Sequence, residues 1–388
     1  MEPVYITGVG MTQFGTLPDS LVSMAHAAAV EAVRDSGAEG VKIDRLIVGT
    51  QNPDEFTGQG HASTLLADDL GLVPCGATRV ESGPSSGSSA IEVAFALVAS
   101  GLARSVLVIG VEKMSGVDRS VASRILAKMM SYENETRYGG TPASMAAMMA
   151  RRYMHEYGLS RDDLSLIPVK AHRNGSKNPL AHFRSELTVD KVNTSRIVSY
   201  PLTVYDCCPT SDGAAAALVA SKQFANEVGA LDRAVQIVGI GHATDFHAVQ
   251  HRDSLTSMAA TVMASRDAFR MADLSPKDVD VCELHDAFSI LELIDMEDIG
   301  FAPRGQAITV VREGMTEVSG SIPVNTTGGL KARGHPTGAT GVAQIRDLVL
   351  QLRQEHLPGI QVDSPSVGLS HNIGGFGNNM VVTILRTP

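Results

Sequence analysis

Short apolar runs alternate along the chain with longer segments in which small and apolar residues recur at helical spacing, as in a largely parallel sheet with helices on its faces. The first half places strands at Val4 to Val9, Arg45 to Gly49, Val106 to Val111 and Ala214 to Ala220, with helices at Ser20 to Asp35 and Ser86 to Ser100 between them. The pattern starts again at Ala234 to Gly241, whose Val-Gly-Ile-Gly ending repeats the grammar of Thr7-Gly8-Val9-Gly10. A helix follows near Met258 to Met271, then a strand at Val279 to Leu284, a helix at Gly338 to Gln354, and closing strands at Val367 to Ser370 and Met380 to Leu385. Two copies of one β/α unit in the same order predict an internal duplication.

Between Ser115 and Pro209 the strand pattern lapses into a stretch rich in Met and Ala (Met145 to Met149), followed by the polar run Lys170 to Pro179. A loop of that length without structure of its own is uncommon, so the stretch is predicted to be a helical lid, its methionines filling gaps between helices. The resulting division is an N-terminal half from residues 1–114 and 210–230, an inserted lid from 115–209, and a C-terminal half from 231–388.

Composition narrows the partners. The 388 residues are 44% hydrophobic and 19% charged, ordinary for a globular chain with more than one core-bearing unit. Lys and Arg number 32 against 42 Asp and Glu, a net charge of -10. Such a field repels nucleic acid, while a few local cations or helix N-termini still suffice for a small phosphorylated ligand. Cys75, Cys207, Cys208 and Cys282 show no C-x-x-C spacing. Neither a zinc site nor a disulfide framework is indicated, and no metal is expected on this chain. With no visible export signal and no apolar run long enough for a membrane, a cytoplasmic protein is expected.

Four segments carry candidate chemistry, each at a strand end or helix start, where open α/β sheets place their sites. They are Glu81-Ser82-Gly83-Pro84-Ser85-Ser86-Gly87, Glu283-Leu284-His285-Asp286-Ala287-Phe288, Gly334-His335-Pro336-Thr337-Gly338-Ala339-Thr340-Gly341, and Ser370-His371-Asn372-Ile373-Gly374-Gly375. In order and spacing they resemble the four active-site motifs of the thiolase superfamily, over essentially the whole chain. The His-Asp-Ala-Phe segment is similar to the form in archaeal and sterol-carrier-type thiolases. The resemblance implies an α/β thiolase fold, two duplicated β/α halves layered α-β-α-β-α with the inserted helical lid. It implies that His335 bonds the thioester oxygen and that His285 is an oxyanion donor, a role worth a few kcal/mol where an enolate develops charge. The plainer readings are a helix-cap His335 and a buried structural His285. Ser211, in the Ser-Asp-Gly-Ala turn, together with Gly338 and Gly375, is implied to border coenzyme A.

The resemblance breaks at both expected thiols. Where the family carries a cysteine at a helix N-terminus, whose field favours the thiolate, this chain has Pro84, which cannot be acylated. The family's second cysteine aligns with Asn372, a candidate catalytic residue by position, and the alternative cysteine of sterol-carrier-type thiolases aligns with Ala287. His371 is a candidate proton carrier or else a backbone-capping residue. Ser85 is a candidate nucleophile with His335 as base, or else a helix cap. Cys207 and Cys208 read as packing.

The expected activity is thiolase-like: an acyl-CoA acyltransferase making or breaking a carbon–carbon bond in a 3-oxoacyl-CoA, including bulky thioesters of the arylsuccinyl kind, with coenzyme A as substrate or product. The alternatives are a retro-aldol lyase on a 3-hydroxyacyl-CoA and a non-catalytic thiolase-fold subunit. Aldolases of this kind use tyrosines where this chain has Ala287, Phe288 and Thr337. The resemblance further implies a homodimer or higher oligomer and a small zinc-ribbon/OB-fold protein subunit as partner.

Overall fold

A computed structural model describes residues 2–387. Its strands are β1 (Val4–Met11), β2 (Arg45–Gly49), β3 (Gly76–Val80), β4 (Ser105–Glu112), β5 (Ile197–Ser199), β6 (Leu202–Thr203), β7 (Gly213–Ser221), β8 (Val235–Thr244), β9 (Val281–Glu283), β10 (Val367–Gly374) and β11 (Asn379–Arg386). Nine form one sheet in the order β3-β2-β4-β7-β1-β8-β11-β10-β9, and β5 and β6 form a separate hairpin.

The duplication is written in the pairing. β2, β4, β7 and β1 are joined parallel, antiparallel, antiparallel, and so are β9, β10, β11 and β8. The two sets meet where Val4–Ile6 pairs antiparallel with Val235–Ile237. β3, which the apolar pattern missed because it is short and partly exposed, adds a parallel edge strand on β2. The expectation of a largely parallel sheet is corrected: β1, β7, β8 and β11 all pair antiparallel, because each half closes by folding its last strand back between the third and the first.

Layering follows from which helices touch which strands. Helix Leu21–Asp35 covers the outer face of β1, β7 and β4, and helix Ala259–Ala272 covers β8 and β11. Helices Ser86–Ala99 and Thr337–Leu352 pack on each other and between the strands of the two halves, giving the α-β-α-β-α arrangement. The repeated Gly-x-Gly has a steric cause. A Cβ on Gly8 or Gly10 would lie 2.2 or 2.3 Å from the carbonyl oxygens of Ala32 or Ala28; one on Gly239 or Gly241 would lie 2.4 or 1.8 Å from those of Ala268 or Ala264. Each first strand thus lets its covering helix approach to backbone contact, which only glycine permits.

The stretch after β4 holds helices Arg119–Ala127, Pro142–Tyr157, Arg161–Gly175 and Val189–Asn193, and the β5-β6 hairpin that sequence patterning did not predict. Helix Pro142–Tyr157 starts at a Thr141/Ser144 capping box and stops at Gly158, whose φ is 69°. Its i, i+4, i+8 stripe of Met145, Met149 and Tyr153 is buried, at about 1.5–3 kcal/mol per apolar side chain taken from water. Helix Arg161–Gly175 is anchored to the C-terminal half through a buried ion pair, Lys170 Nζ to Glu292 at 2.5 Å. Glu292 also accepts from Asn325 Nδ2 at 3.0 Å, and Asn325 in turn accepts the Leu284 N–H at 2.8 Å, fixing the chain just before His285. Among the described residues, no helix is long and apolar enough to cross a membrane.

Candidate active site

Strand and helix ends from both halves converge on one cavity of about 440 Å³. β9 delivers the loop carrying His285, His335 stands just before helix Thr337–Leu352, and Asn372 lies on β10. Pro84, His285, Ala287, Phe288, His335 and Thr337 all face the cavity. Helix Arg119–Ala127 and the start of helix Pro142–Tyr157 roof it with Leu126, Pro142 and Ala143.

The two histidines meet edge to face with ring centroids 4.9 Å apart, and their partners give them opposite tautomers. The Asn372 carbonyl oxygen accepts the Ser88 hydroxyl at 3.0 Å, which directs its amide nitrogen to His285 Nδ1 at 2.8 Å. An amide NH₂ only donates, so Nδ1 accepts and the His285 proton sits on Nε2. At His335 the order is reversed. The Thr340 hydroxyl donates to the Pro336 carbonyl at 3.0 Å, so it accepts from His335 Nδ1–H at 2.7 Å, and the free Nε2 carries a lone pair. Among the described residues, no protein group bonds either Nε2. One ring therefore offers the cavity a donor and the other an acceptor.

Burial keeps both rings neutral. His335 is pushed down to about 3 by burial and then by the Arg333 charge; His285 is held well below the usual histidine range by burial first, then by its neighbouring His335, His371 and Arg333. Arg333 is itself fully buried and paired with Glu283 and Asp347. Behind the His335 loop, Glu112 accepts from the N–H of Gly338 and the hydroxyl of Thr337, both at 3.0 Å, and from the N–H of Gln51 at 2.7 Å, tying β4 to the start of helix Thr337–Leu352.

Not every candidate reaches the cavity. Ser85 does not line the cavity: its hydroxyl donates to the Ser82 carbonyl at 2.8 Å, lies against Gly374 and makes no helix cap. His371 is corrected. Neighbouring strand residues face opposite ways, so with Asn372 turned behind the cavity wall to His285 and Ser88, His371 points to Thr261 Oγ1 at 3.0 Å and Asp295 at 3.4 Å inside the C-terminal core. Ser211 does not line the cavity; it accepts the His335 backbone N–H at 3.1 Å and so positions that loop. Gly338 is a packing residue, since a Cβ there would lie 2.5 Å from the Val111 carbonyl. Gly375 does border the cavity, with φ 58°. Sequence reasoning missed Thr340 and Ser88, which set the tautomers; Thr340 lies within the Gly-His-Pro motif, whereas nothing in the sequence ties Ser88 to Asn372.

A second cavity of about 500 Å³ shares Met114 and residues 207–210 with the first and adds Arg119, His172, His182 and Lys331. A further hollow, about 990 Å³ beside Arg45 and Cys75, holds none of the four motifs and lies outside this chemistry.

Comparison with known proteins bears on the family and the fold. The family description "Thiolase, N-terminal domain" matches residues 4–223, and "Thiolase C-terminal domain-like" matches residues 241–387. The chain belongs to the thiolase family. It is 42% identical to an acetyl-CoA acetyltransferase of Methanothermobacter thermautotrophicus, over 99% of both chains. It is 35% identical to the benzoylsuccinyl-CoA thiolase subunit BbsB of Thauera aromatica, over 96% of this chain and 94% of that one. Among solved structures, one titled Ltp2-ChsH2(DUF35) aldolase superposes with a TM-score of 0.86 at 25% identity, covering 99% of this chain and 98% of that one. This thiolase-family chain is thus similar both to acyltransferases and to an aldolase.

Proposed function

We propose that this chain cleaves or forms a carbon–carbon bond beside a coenzyme A thioester by a non-covalent, retro-aldol route, with a 3-hydroxyacyl-CoA as the cleaved substrate. One observation carries the reading: Pro84, at the motif position of the thiolase nucleophile, lines the same cavity as two neutral histidines of opposite tautomer. Proline supplies neither a thiol nor a backbone N–H, so an acyl-enzyme has no side chain to form on at that position. A retro-aldol step needs only a base for the 3-hydroxyl and a donor for the enolate oxygen. His335 Nε2 is that base and His285 Nε2–H that donor. Ala287, Phe288 and Thr337 line the cavity and no tyrosine does, so the base cannot be a tyrosine here.

The two neighbouring cavities, with residues 207–210 as a common wall, suit the two ends of a long thioester. The first is largely apolar around the reacting atoms, and the second adds Arg119 and Lys331 for phosphate groups. Residues 115–209 form the lid whose shape selects the acyl group. The named BbsB subunit and the aldolase titled with a DUF35 component support a partner subunit for this chain; a homodimer core belongs to the same proposal. The chain's four cysteines are free, in keeping with a reducing cytoplasm.

A second reading is thiolysis of a 3-oxoacyl-CoA, favoured by the 42% identity to an acetyl-CoA acetyltransferase. Purified chain, with and without a co-expressed partner, is to be incubated with branched 3-hydroxyacyl-CoA thioesters, and separately with 3-oxoacyl-CoA plus free CoA. A carbonyl product and a shortened acyl-CoA released without consumption of CoA are the expected result. Turnover that requires CoA and leaves an acylated peptide would overturn the non-covalent route in favour of thiolysis.

A further inference from the structure

One thiol-bearing segment, residues 207–210, crosses this site. Cys207 pairs antiparallel with Phe288, the Cys208 N–H donates to the Ala287 carbonyl at 2.8 Å, and Thr210 pairs with His335. One short stretch of backbone is therefore pinned at one end to the loop that carries His285 and at the other to the loop that carries His335. Both cysteines line the wall shared by the two cavities, but they are not equivalent. The Cys207 thiol donates to the Thr203 carbonyl at 3.5 Å, whereas the Cys208 thiol bonds no other residue among those described. The same cavity presents the unpartnered Nε2 atoms of two buried histidines.

We propose that Cys208 is the proton donor and acceptor at the α-carbon of the thioester. The assignment rests on the carbon–carbon lyase reading and completes its proton balance. His335 Nε2 takes the proton of the 3-hydroxyl, the bond between the α- and β-carbons breaks, and a carbonyl product leaves. The electron pair passes to the thioester enolate, whose oxygen is held by His285 Nε2–H. Cys208 Sγ–H gives its proton to the α-carbon, and the resulting thiolate recovers one from the His335 imidazolium. Every group returns to its starting state with no oxidant or added nucleophile. Burial pushes the Cys208 thiol up to about 12, so at rest it holds the proton the enolate requires.

Enolate chemistry can be read without knowing the natural substrate. The full chain is incubated in D₂O with acetyl-CoA and with propionyl-CoA, and deuterium entering the α-carbon is followed by mass spectrometry. The parent and Cys75→Ser, a cysteine remote from both cavities, are expected to exchange at rates within about threefold of each other. Cys208→Ala and Cys208→Ser lose at least about 100-fold, the lower range for removing a general acid–base group, with affinity for the thioester unchanged. Serine keeps the volume and a hydroxyl, so it separates lost acidity from lost packing. Exchange at the parental rate in both Cys208 variants overturns the assignment and leaves the lyase reading standing. A parent chain that exchanges neither probe overturns both.

Discussion

The two halves share a topology and a packing device, yet they divide the chemistry unequally. Gly8 and Gly10 under Ala32 and Ala28, and Gly239 and Gly241 under Ala268 and Ala264, are the same close contact made twice. The side chains at the candidate site are not duplicated: His285, His335 and Asn372 all come from the C-terminal half, and the N-terminal half supplies Pro84 and Ser88. Both halves bury charge. The C-terminal half buries Glu283, Glu292 and Asp347 beside Arg333 and Lys170, and the N-terminal half buries Glu112 and the Asp212 partner of Lys113, while helix Leu21–Asp35 packs on β1, β4 and β7 through an apolar core. Backbone geometry dictates the shared contact, whereas loop ends are free to diverge.

The largest expected effect breaks that asymmetry directly. His335→Ala should lower carbon–carbon cleavage about 1,000-fold, near 4 kcal/mol of transition-state stabilisation, while Ser85→Ala stays within about threefold; steady-state kinetics on both variants checks this. Because burial holds His335 down at about 3, its Nε2 is already unprotonated at pH 5.5. The parent's rate should therefore show no fall assignable to His335 between pH 8 and pH 5.5.

A smaller effect tests the equivalence of the halves. Gly10→Ala and Gly241→Ala each force a Cβ against a helix carbonyl and should cost about 1–3 kcal/mol. Gly241→Ala should cost the more, since its Cβ would lie 1.8 Å from oxygen rather than 2.3 Å. Denaturant midpoints would show it, and a Gly10→Ala chain as stable as the parent would mean that the halves are alike only in outline.

The fold was legible because apolar period and glycine spacing are local properties of the chain, and both halves write them in the same order. The antiparallel pairing of β7 and β11 was not legible, since strand direction depends on long-range closure that no local run encodes. At the site, His285 and His335 could be read from motif residues. Ser85 and His371 were misplaced because a hydroxyl's rotamer and a strand's facing are fixed only by packing. Asn372 was read as the stand-in for a thiol, and its contact with His285 crosses from β10 to the loop after β9.

That contact gives the next prediction. Asn372→Ala frees His285 Nδ1, so the donor tautomer is no longer imposed, and kcat should fall about 10- to 100-fold with little change in KM. Asn372→Asp reverses the logic. A carboxylate raises the ring's pKa and draws a proton to Nδ1. Below the raised pKa the imidazolium still donates through Nε2, and above it that donor is lost. Activity should then decline as pH rises, a dependence on His285 that the parent lacks and that a pH–rate profile would reveal.

The smallest effect lies at a contact between the halves. His242 on β8 bonds Glu92 of helix Ser86–Ala99 through Nδ1 at 2.6 Å and Asn379 of β11 through Nε2 at 2.5 Å. With an acceptor at each nitrogen the imidazolium is favoured, and the Glu92 bond is the largest cause of its raised pKa. The sign follows from linkage: a raised folded pKa stabilises fully below the unfolded value near 6.5 and is lost as pH climbs through the folded pKa. The side chain is 30% exposed, so solvent screening leaves only a few tenths of a kcal/mol. Denaturant midpoints of the parent at pH 6 and pH 9 should differ by that margin more than those of His242→Gln. Equal differences would mean that this histidine joins the halves by packing alone, and that their coupling rests on the β1-β8 pairing and the two central helices.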